Sequence, residues 1–264
     1  MQKLIILLSI IITWISPALA LPLSNGGFET GNLNHWQTLG LVNVETSVFG
    51  SGPKQGNFQV FLNTEDGTST NTASIDNIEA FLGVSQGLVD SIHPSPGPSF
   101  GAKDGSAIKQ NFHASAGETL SFQYNFLTSD GLWGGGVDPD ASRDVSFVTL
   151  TGPNLSFGKI LSNTLDIPNA PEETLVSINP FRSSPTPFNL ETGFRHVSLM
   201  LPNDGNYTVG FGVANSGFVG ASSGLLVDQV STTPSQPVPE PSTLLLLTSG
   251  LIGLATWHRR QRAC

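Results

Sequence analysis

The feature that most constrains the fold of this chain is a two-residue alternation of apolar and polar side chains. In the segment ETLSFQYNFLT, residues 118–128, an apolar side chain stands at every second position: Leu120, Phe122, Tyr124 and Phe126. Successive side chains of a β-strand point to opposite faces of the sheet, so this spacing predicts a strand with one buried face. Seven further segments have the composition of strands, separated by clusters of Gly, Pro, Asn, Asp and Ser: LVNVETSV, NFQVFLN, SAIKQNFH, DVSFVTLT, FRHVSLML, NYTVGFGVA and GLLVDQVS.

Helical periodicity is scarce, and the segment STNTASIDNIEAFLGVS, residues 69–85, carries it. Thr72 or Ser74 would cap this helix and Gly83 would end it. Four apolar residues fall on one helical face: Ile75, Ile78, Phe81 and Leu82. About eight or nine strands with one short helix predict an all-β fold, namely a two-sheet antiparallel β-sandwich of the jelly-roll type.

The N-terminus has the three parts of a secretory signal peptide, which we place at residues 1–20. Lys3 supplies the positive charge, an apolar run follows it, and Ala18 and Ala20 stand at the positions that a signal peptidase inspects. Cleavage after Ala20 would release an exported domain over residues 21–232. An uncleaved membrane anchor is the alternative.

The charge of the exported part excludes nucleic acid as a partner. Residues 21–240 contain seven basic and twenty acidic residues, a net charge near −13, and such a surface repels phosphate backbones. A domain of about 220 residues buries a core without disulfides. The single cysteine is Cys264, at the C-terminal tip.

A second apolar run lies near the C-terminus. Residues 242–257 carry no charge and are rich in leucine. As a helix they would extend about 24 Å, so we predict a transmembrane span over residues 242–258. The basic tail 259–264, with Arg259, Arg260 and Arg262, would stay in the cytoplasm and leave the domain outside.

The linker before this span, residues 233–241, is rich in proline and contains Pro239-Glu240-Pro241. This triplet, a leucine-rich span and an arginine cluster, in that order at the C-terminus, resemble the PEP-CTERM sorting signal. The resemblance implies a Gram-negative bacterium whose exosortase cuts near the triplet. The protein would pass from an inner-membrane intermediate with a periplasmic domain to the cell surface or extracellular matrix. A plain single-pass anchor is the alternative.

The two ends of the domain, SNGGFETGNLNHWQTLG and GLLVDQVS, resemble the first and last strands of galactose-binding-like jelly rolls, which include carbohydrate-binding modules. The resemblance implies a structural calcium bound by the Gly27 carbonyl, Glu29 and Asp228, with a further ligand at Gln55. Such oxygen ligands suit Ca²⁺. Alternatively, Glu29 caps a turn and Asp228 is a solvated strand residue.

The loop TSDGLWGGGVDPDASRDVSF, residues 128–147, offers a second cation and ligand site. Asp138 and Asp140 would converge on one ion, and Trp133 would present a flat apolar face to a sugar ring. The alternative is a solvated hairpin loop. Trp36, which follows the opening motif, is predicted to lie in the core.

We expect this protein not to be an enzyme. Residues 220–224 match Gly-x-Ser-x-Gly, but a strand follows them where a nucleophile elbow needs a helix. The histidines show no His-Glu-x-x-His spacing. We therefore expect a non-catalytic, surface-sorted protein associated with exopolysaccharide, possessing a glycan-binding surface. The alternatives are a glycan-active hydrolase that uses a carboxylate pair and a purely structural matrix protein.

Overall fold

The computed structural model describes residues 22–65, 71–93, 101–129, 144–164, 182–188, 190–216 and 222–234. Contacts divide the chain into two units, Met1–Thr233 and Pro234–Cys264. The predicted signal peptide and the predicted span at 242–258 lie outside the described residues. Within the described ranges, no helix is both long and apolar enough to cross a bilayer.

In the described residues, thirteen strands form two antiparallel sheets. The strands are β1 Gln37–Leu39, β2 Leu41–Glu45, β3 Gln59–Asn63, β4 Ala73–Ser74, β5 Asp104–Ala114, β6 Thr119–Thr128, β7 Val145–Gly152, β8 Leu155–Asn163, β9 Arg182–Ser183, β10 Leu190–Glu191, β11 Arg195–Met200, β12 Gly205–Asn215 and β13 Ser223–Thr233. Hydrogen bonding orders the six-stranded sheet β1-β5-β12-β7-β8, with β4 also on β5, and the seven-stranded sheet β2-β3-β13-β6-β10-β9, with β11 also on β6. This arrangement confirms the predicted two-sheet antiparallel sandwich.

The main core lies between the two sheets. The alternating apolar residues of β6 are buried in it, as their spacing predicts, and they meet apolar residues of β5, β7 and β12 from the facing sheet. Trp36 is also buried there, with its ring 5.4 Å from that of Phe28 and 6.2 Å from that of Phe211. Its Nε1–H donates to the carbonyl of Asn25 at 3.0 Å, so the prediction that Trp36 is a core residue is confirmed.

The predicted helix is α1, Ile75–Leu82, which begins after Ser74 and ends at Gly83 with φ of +73°. It packs on the outer face of the six-stranded sheet through Ile78 and Leu82. A second helix, α2 Leu88–Ile92, was not predicted because five residues carry too little periodicity. The buried carboxylate of Glu79 accepts hydrogen bonds from the backbone N–H groups of Gly87 at 2.7 Å and Val89 at 2.8 Å, which fixes the start of α2 against α1.

The opening motif differs from the prediction, because residues 22–36 form turns and the first strand begins at Gln37. Asn25 and Phe28 have φ values of +50° and +57°, which lie outside the range of regular strand backbone. The motif still meets the last strand: the N–H of Val230 donates to the carbonyl of Gly26 at 2.9 Å. A side chain at position 26 would overlap the backbone carbonyl of Val230.

Candidate cation site and the neighbouring surface

Asp228 lies in the middle of β13 and is fully buried. Its Oδ2 accepts hydrogen bonds from the backbone N–H groups of Lys54 at 2.8 Å and Gln55 at 3.0 Å, and its Oδ1 accepts one from Gln229 at 2.6 Å. The interpretation of Asp228 as a solvated strand residue is therefore wrong. Gln229 has φ of +55° and lies in the β-bulge that follows Asp228, where its N–H donates to the carboxylate of the preceding residue.

Glu29 binds the same loop through two later residues. Its carboxylate oxygens accept hydrogen bonds from the N–H groups of Asn57, at 3.0 and 3.1 Å, and Phe58, at 3.2 Å. Gly56 has φ of +63°, and a Cβ there would overlap the Glu29 carboxylate. Residues 54–58 thus wrap around two carboxylates that stand 199 positions apart in sequence.

The electrostatics of the pair favour a cation. Burial raises the pKa of Asp228 above its ordinary value of 3.8; the three backbone N–H groups lower this pKa, and the nearby negative charge of Glu29 raises it again. The net shift is upward, so the ionised form is costly in this environment. A positive ion beside both groups would reverse that cost.

The donor set fits a hard cation through oxygen atoms alone. A Cβ on Gly27 would be 3.6 Å from Cγ of Glu29 and 3.8 Å from Oδ1 of Asp228, so the structure brings the three predicted residues together. Oδ1 of Asp228 and Oε2 of Glu29 each accept one backbone hydrogen bond, so each keeps a lone pair for a cation. Gln55 also lies here, where its Oε1 accepts a hydrogen bond from the Gln229 side chain at 3.4 Å. In the part of the chain that the structure describes, no three His, Cys, Asp or Glu side chains cluster, so backbone, amide and water oxygens would complete the shell.

The second predicted site, with Asp138, Asp140 and Trp133, lies outside the described residues. Asp144, at the end of the same loop, is described and is fully buried. Its carboxylate accepts hydrogen bonds from the N–H of Ser216 at 3.1 Å and the hydroxyl of Ser223 at 2.7 Å. Asp144 therefore belongs to a buried polar network. β13 begins at Ser223, inside the Gly-x-Ser-x-Gly match, so a strand and not a helix follows the central Ser222, as the sequence indicated.

A surface cavity that the sequence did not predict lies beside the carboxylate pair. Its volume is about 540 Å³, and its walls are residues 51–54 and 192–194. Lys54 belongs to both features, because its backbone N–H binds Asp228. The cavity forms where the loop before β3 meets the loop before β11. Two segments so distant in sequence give no pattern from which their contact can be read.

Comparisons with known proteins place a sorting motif at the C-terminus. Residues 237–260 match the PEP-CTERM protein-sorting motif. No curated protein sequence matches the chain significantly.

Among solved structures, the chain is similar to the carbohydrate-binding module TmCBM61 in complex with β-1,4-galactotriose, at 12% identity and a TM-score of 0.39 over 81% of this chain and 97% of that chain. It is also similar to a carbohydrate-binding module of the β-sandwich superfamily, at 11% identity and a TM-score of 0.38 over 82% of this chain and 64% of that chain. The enzymatically active domain of tailspike protein 4 of bacteriophage CBA120 matches at 11% identity and a TM-score of 0.35, over 81% of this chain and 21% of that chain. At these scores, no ligand or activity is transferred to this chain.

The predicted resemblance at the C-terminus is confirmed, and this motif indicates export and a membrane-anchored intermediate. The chain is an all-β, two-sheet antiparallel protein that carries a PEP-CTERM protein-sorting motif at residues 237–260.

Proposed function

We propose that this protein is a non-catalytic, exported matrix protein that an exosortase releases from the inner membrane and that associates with polysaccharide at the cell surface. The observation that carries the proposal is the sorting motif at residues 237–260. A signal peptidase would remove residues 1–20, and exosortase would cut near Pro239-Glu240-Pro241. The basic tail with Arg259, Arg260 and Arg262 would hold the precursor in the membrane until that cut.

We further propose that Glu29 and Asp228, with the Gly27 carbonyl, bind a structural Ca²⁺. The raised pKa of Asp228 and the joint enclosure of both carboxylates by residues 54–58 support this. The ion would fix the opening motif and the loop of residues 54–58 to the last strand. Its role would be to stabilise the fold, because the two carboxylates lie where three segments distant in sequence meet.

Intact mass of the protein isolated from its native host, separately from membranes and from medium, tests the sorting proposal. We expect loss of residues 1–20 and a new C-terminus near Glu240 in the medium or matrix fraction. Retention of residues 242–264 in every fraction would indicate a permanent inner-membrane anchor and contradict the proposal. Turnover of a polysaccharide by the purified protein would contradict the non-catalytic assignment.

A further inference from the structure

The outer face of the seven-stranded sheet carries a strip of uncharged polar side chains beside the cavity. We call it the polar strip; its members are Ser121, Gln123, His196, Ser198 and Ser231. On β6 and β11 the residues between them pack into the core, so these side chains face away from it. Ser198, Ser231 and His196 are exposed, and the two on β6 are half-buried.

Strand register aligns the strip across three strands. Ser121 is opposite both Ser198 and Ser231, and Gln123 is opposite His196. Residues directly opposite in antiparallel strands have side chains on the same face and in reach of each other. The strip is therefore a continuous surface set by the backbone of β6, β11 and β13.

Hydrogen bonds orient these side chains. Nε2 of Gln123 and Nδ1 of His196 lie 3.4 Å apart, and Nε2 of His196 lies 2.8 Å from the hydroxyl of Ser198. The hydroxyls of Ser121 and Ser231 lie 3.3 Å apart. Amide, imidazole and hydroxyl groups both donate and accept hydrogen bonds, as sugar hydroxyls do.

The cavity between residues 51–54 and 192–194 lies next to the strip, because Asn125, two residues after Gln123 on β6, hydrogen-bonds the hydroxyls of Ser51 and Thr192. On β13, Asp228 stands opposite Gln123, and its carboxylate accepts a hydrogen bond from the backbone N–H of Lys54 on the cavity wall. Phe194, on the facing wall, precedes His196 by two residues and supplies an apolar ring. At the far end of β11, Met200 is 71% exposed. An uncharged polar surface with an apolar side chain at each end matches a chain molecule that has both hydroxyl groups and apolar ring faces.

Charge decides whether the bound polysaccharide would be neutral or anionic. The exported part has a net charge near −13, from seven basic and twenty acidic residues, and its field repels a polyanion. The strip contains no Lys or Arg, and Lys54 is the one basic residue among those that line the cavity, so the carboxylate or sulfate groups of a polyanion would find a single positive charge here. A neutral glycan meets neither obstacle.

We infer that the polar strip and the adjoining cavity bind a neutral polysaccharide. The inference rests on the proposed association with polysaccharide, and it adds the class of glycan and the surface that holds it. Gln123 and His196 would bind sugar hydroxyls at the centre, and Phe194 would pack against a sugar ring at the cavity end.

The test is affinity electrophoresis of the full-length chain in detergent, with dextran, mannan or galactan in the gel and polygalacturonate as the charged comparison. We expect at least one neutral polymer to retard the protein. Replacing both central side chains, Gln123→Ala with His196→Ala, should weaken that binding by about tenfold or more, because the polar partners of the bound hydroxyls are lost. A thermal melt of each variant checks that it is folded. Ser198→Ala, which removes one hydroxyl of the strip, should also weaken binding, but by less than the double replacement.

The matched control is the pair Asn111→Ala with Thr208→Ala, which removes an exposed hydrogen bond of 2.7 Å from the other sheet. It should bind as the unaltered protein does. If the strip variants also bind unchanged, the strip is not the site, although association with polysaccharide would stand. Retardation by polygalacturonate alone would overturn the inference in the same way. Retardation by none of the four polymers would overturn both the inference and the proposed association.

Discussion

The backbone N–H of Lys54 donates a hydrogen bond to Oδ2 of Asp228 at 2.8 Å, and 174 positions of sequence separate the two residues. This bond joins the loop before β3 to the last strand. Glu29 binds the same loop a few residues later, through the N–H groups of Asn57 and Phe58. The opening motif, this loop and β13 therefore meet around two carboxylates, and their stability should depend on the charge placed there.

Removal of calcium should lower the melting temperature of the protein. A ligand that binds only the native state at about 100 times its Kd adds about 2.7 kcal/mol to the free energy of unfolding. Thermal melts with Ca²⁺ and with a chelator measure the difference, and Asp228→Ala should abolish it. Asp204→Ala, at an exposed carboxylate that binds the N–H of Ala116, is the control and should keep the difference. Identical melts of the unaltered protein under both conditions would reject the calcium site.

The stabilisation by calcium should depend on pH. Because the pKa of Asp228 is raised in the native state, its contribution to stability without metal is full below the ordinary value of 3.8 and is lost as pH rises through the raised pKa. Calcium binds the ionised carboxylate, so its effect should appear over that same rise in pH and be small at pH 3.8. Melts with and without Ca²⁺ across this range measure it. A calcium effect that is independent of pH would contradict the role of Asp228.

Gly56→Ala should destabilise the protein and weaken its response to calcium. The positive φ at residue 56 costs a Cβ-bearing residue about 1–3 kcal/mol, and the new Cβ would displace the Glu29 carboxylate. Gly83→Ala is a matched control, because Gly83 has φ of +73° and a Cβ added there would meet no atom of the described residues within 4 Å. Urea unfolding with and without Ca²⁺ should show a loss of stability in both variants. A normal calcium response in Gly56→Ala would argue against Glu29 as a ligand.

Ser223→Ala should destabilise the protein far more than Ser222→Ala. The hydroxyl of Ser223 is buried and donates to Oδ2 of Asp144 at 2.7 Å. Loss of a hydrogen bond to a buried carboxylate costs about 1–3 kcal/mol. Ser222, the central serine of the Gly-x-Ser-x-Gly match, is half-buried and should tolerate the change. Urea unfolding compares the two, and equal stabilities would contradict the importance of the Asp144 network.

Replacing Pro239-Glu240-Pro241 by three alanines should block removal of the C-terminal tail. The two prolines fix the backbone around one acidic side chain, and the replacement removes both the rigid shape and the charge. Intact mass should then show residues 242–264 retained in the membrane fraction. Three alanines in place of Thr232, Thr233 and Pro234 are the control, because they lie before the motif at residues 237–260. Normal processing of the first variant would contradict recognition of the triplet.

Patterns within single segments determined much of this protein in advance. The alternation in β6 predicts both its burial and the outward position of Gln123, because neighbouring side chains of a strand always take opposite faces. The order of triplet, span and arginines identifies the sorting motif, because a linear signal is read without folding. Gly83 likewise ends α1 where its sequence position predicts.

Only the tertiary structure decided what lies beside what. The strands of a sandwich pair with partners far away in sequence, so no local pattern reveals that β13 lies between β3 and β6. Gln123 therefore becomes part of a surface with His196 only through strand register. The opening motif turns instead of extending: Asn25 and Phe28 take positive φ values, and hydrogen bonds within residues 25–36 close the turns. Glu29 and Asp228 could be named from resemblance, but their shared enclosure by residues 54–58 depends on the folded path of all three segments.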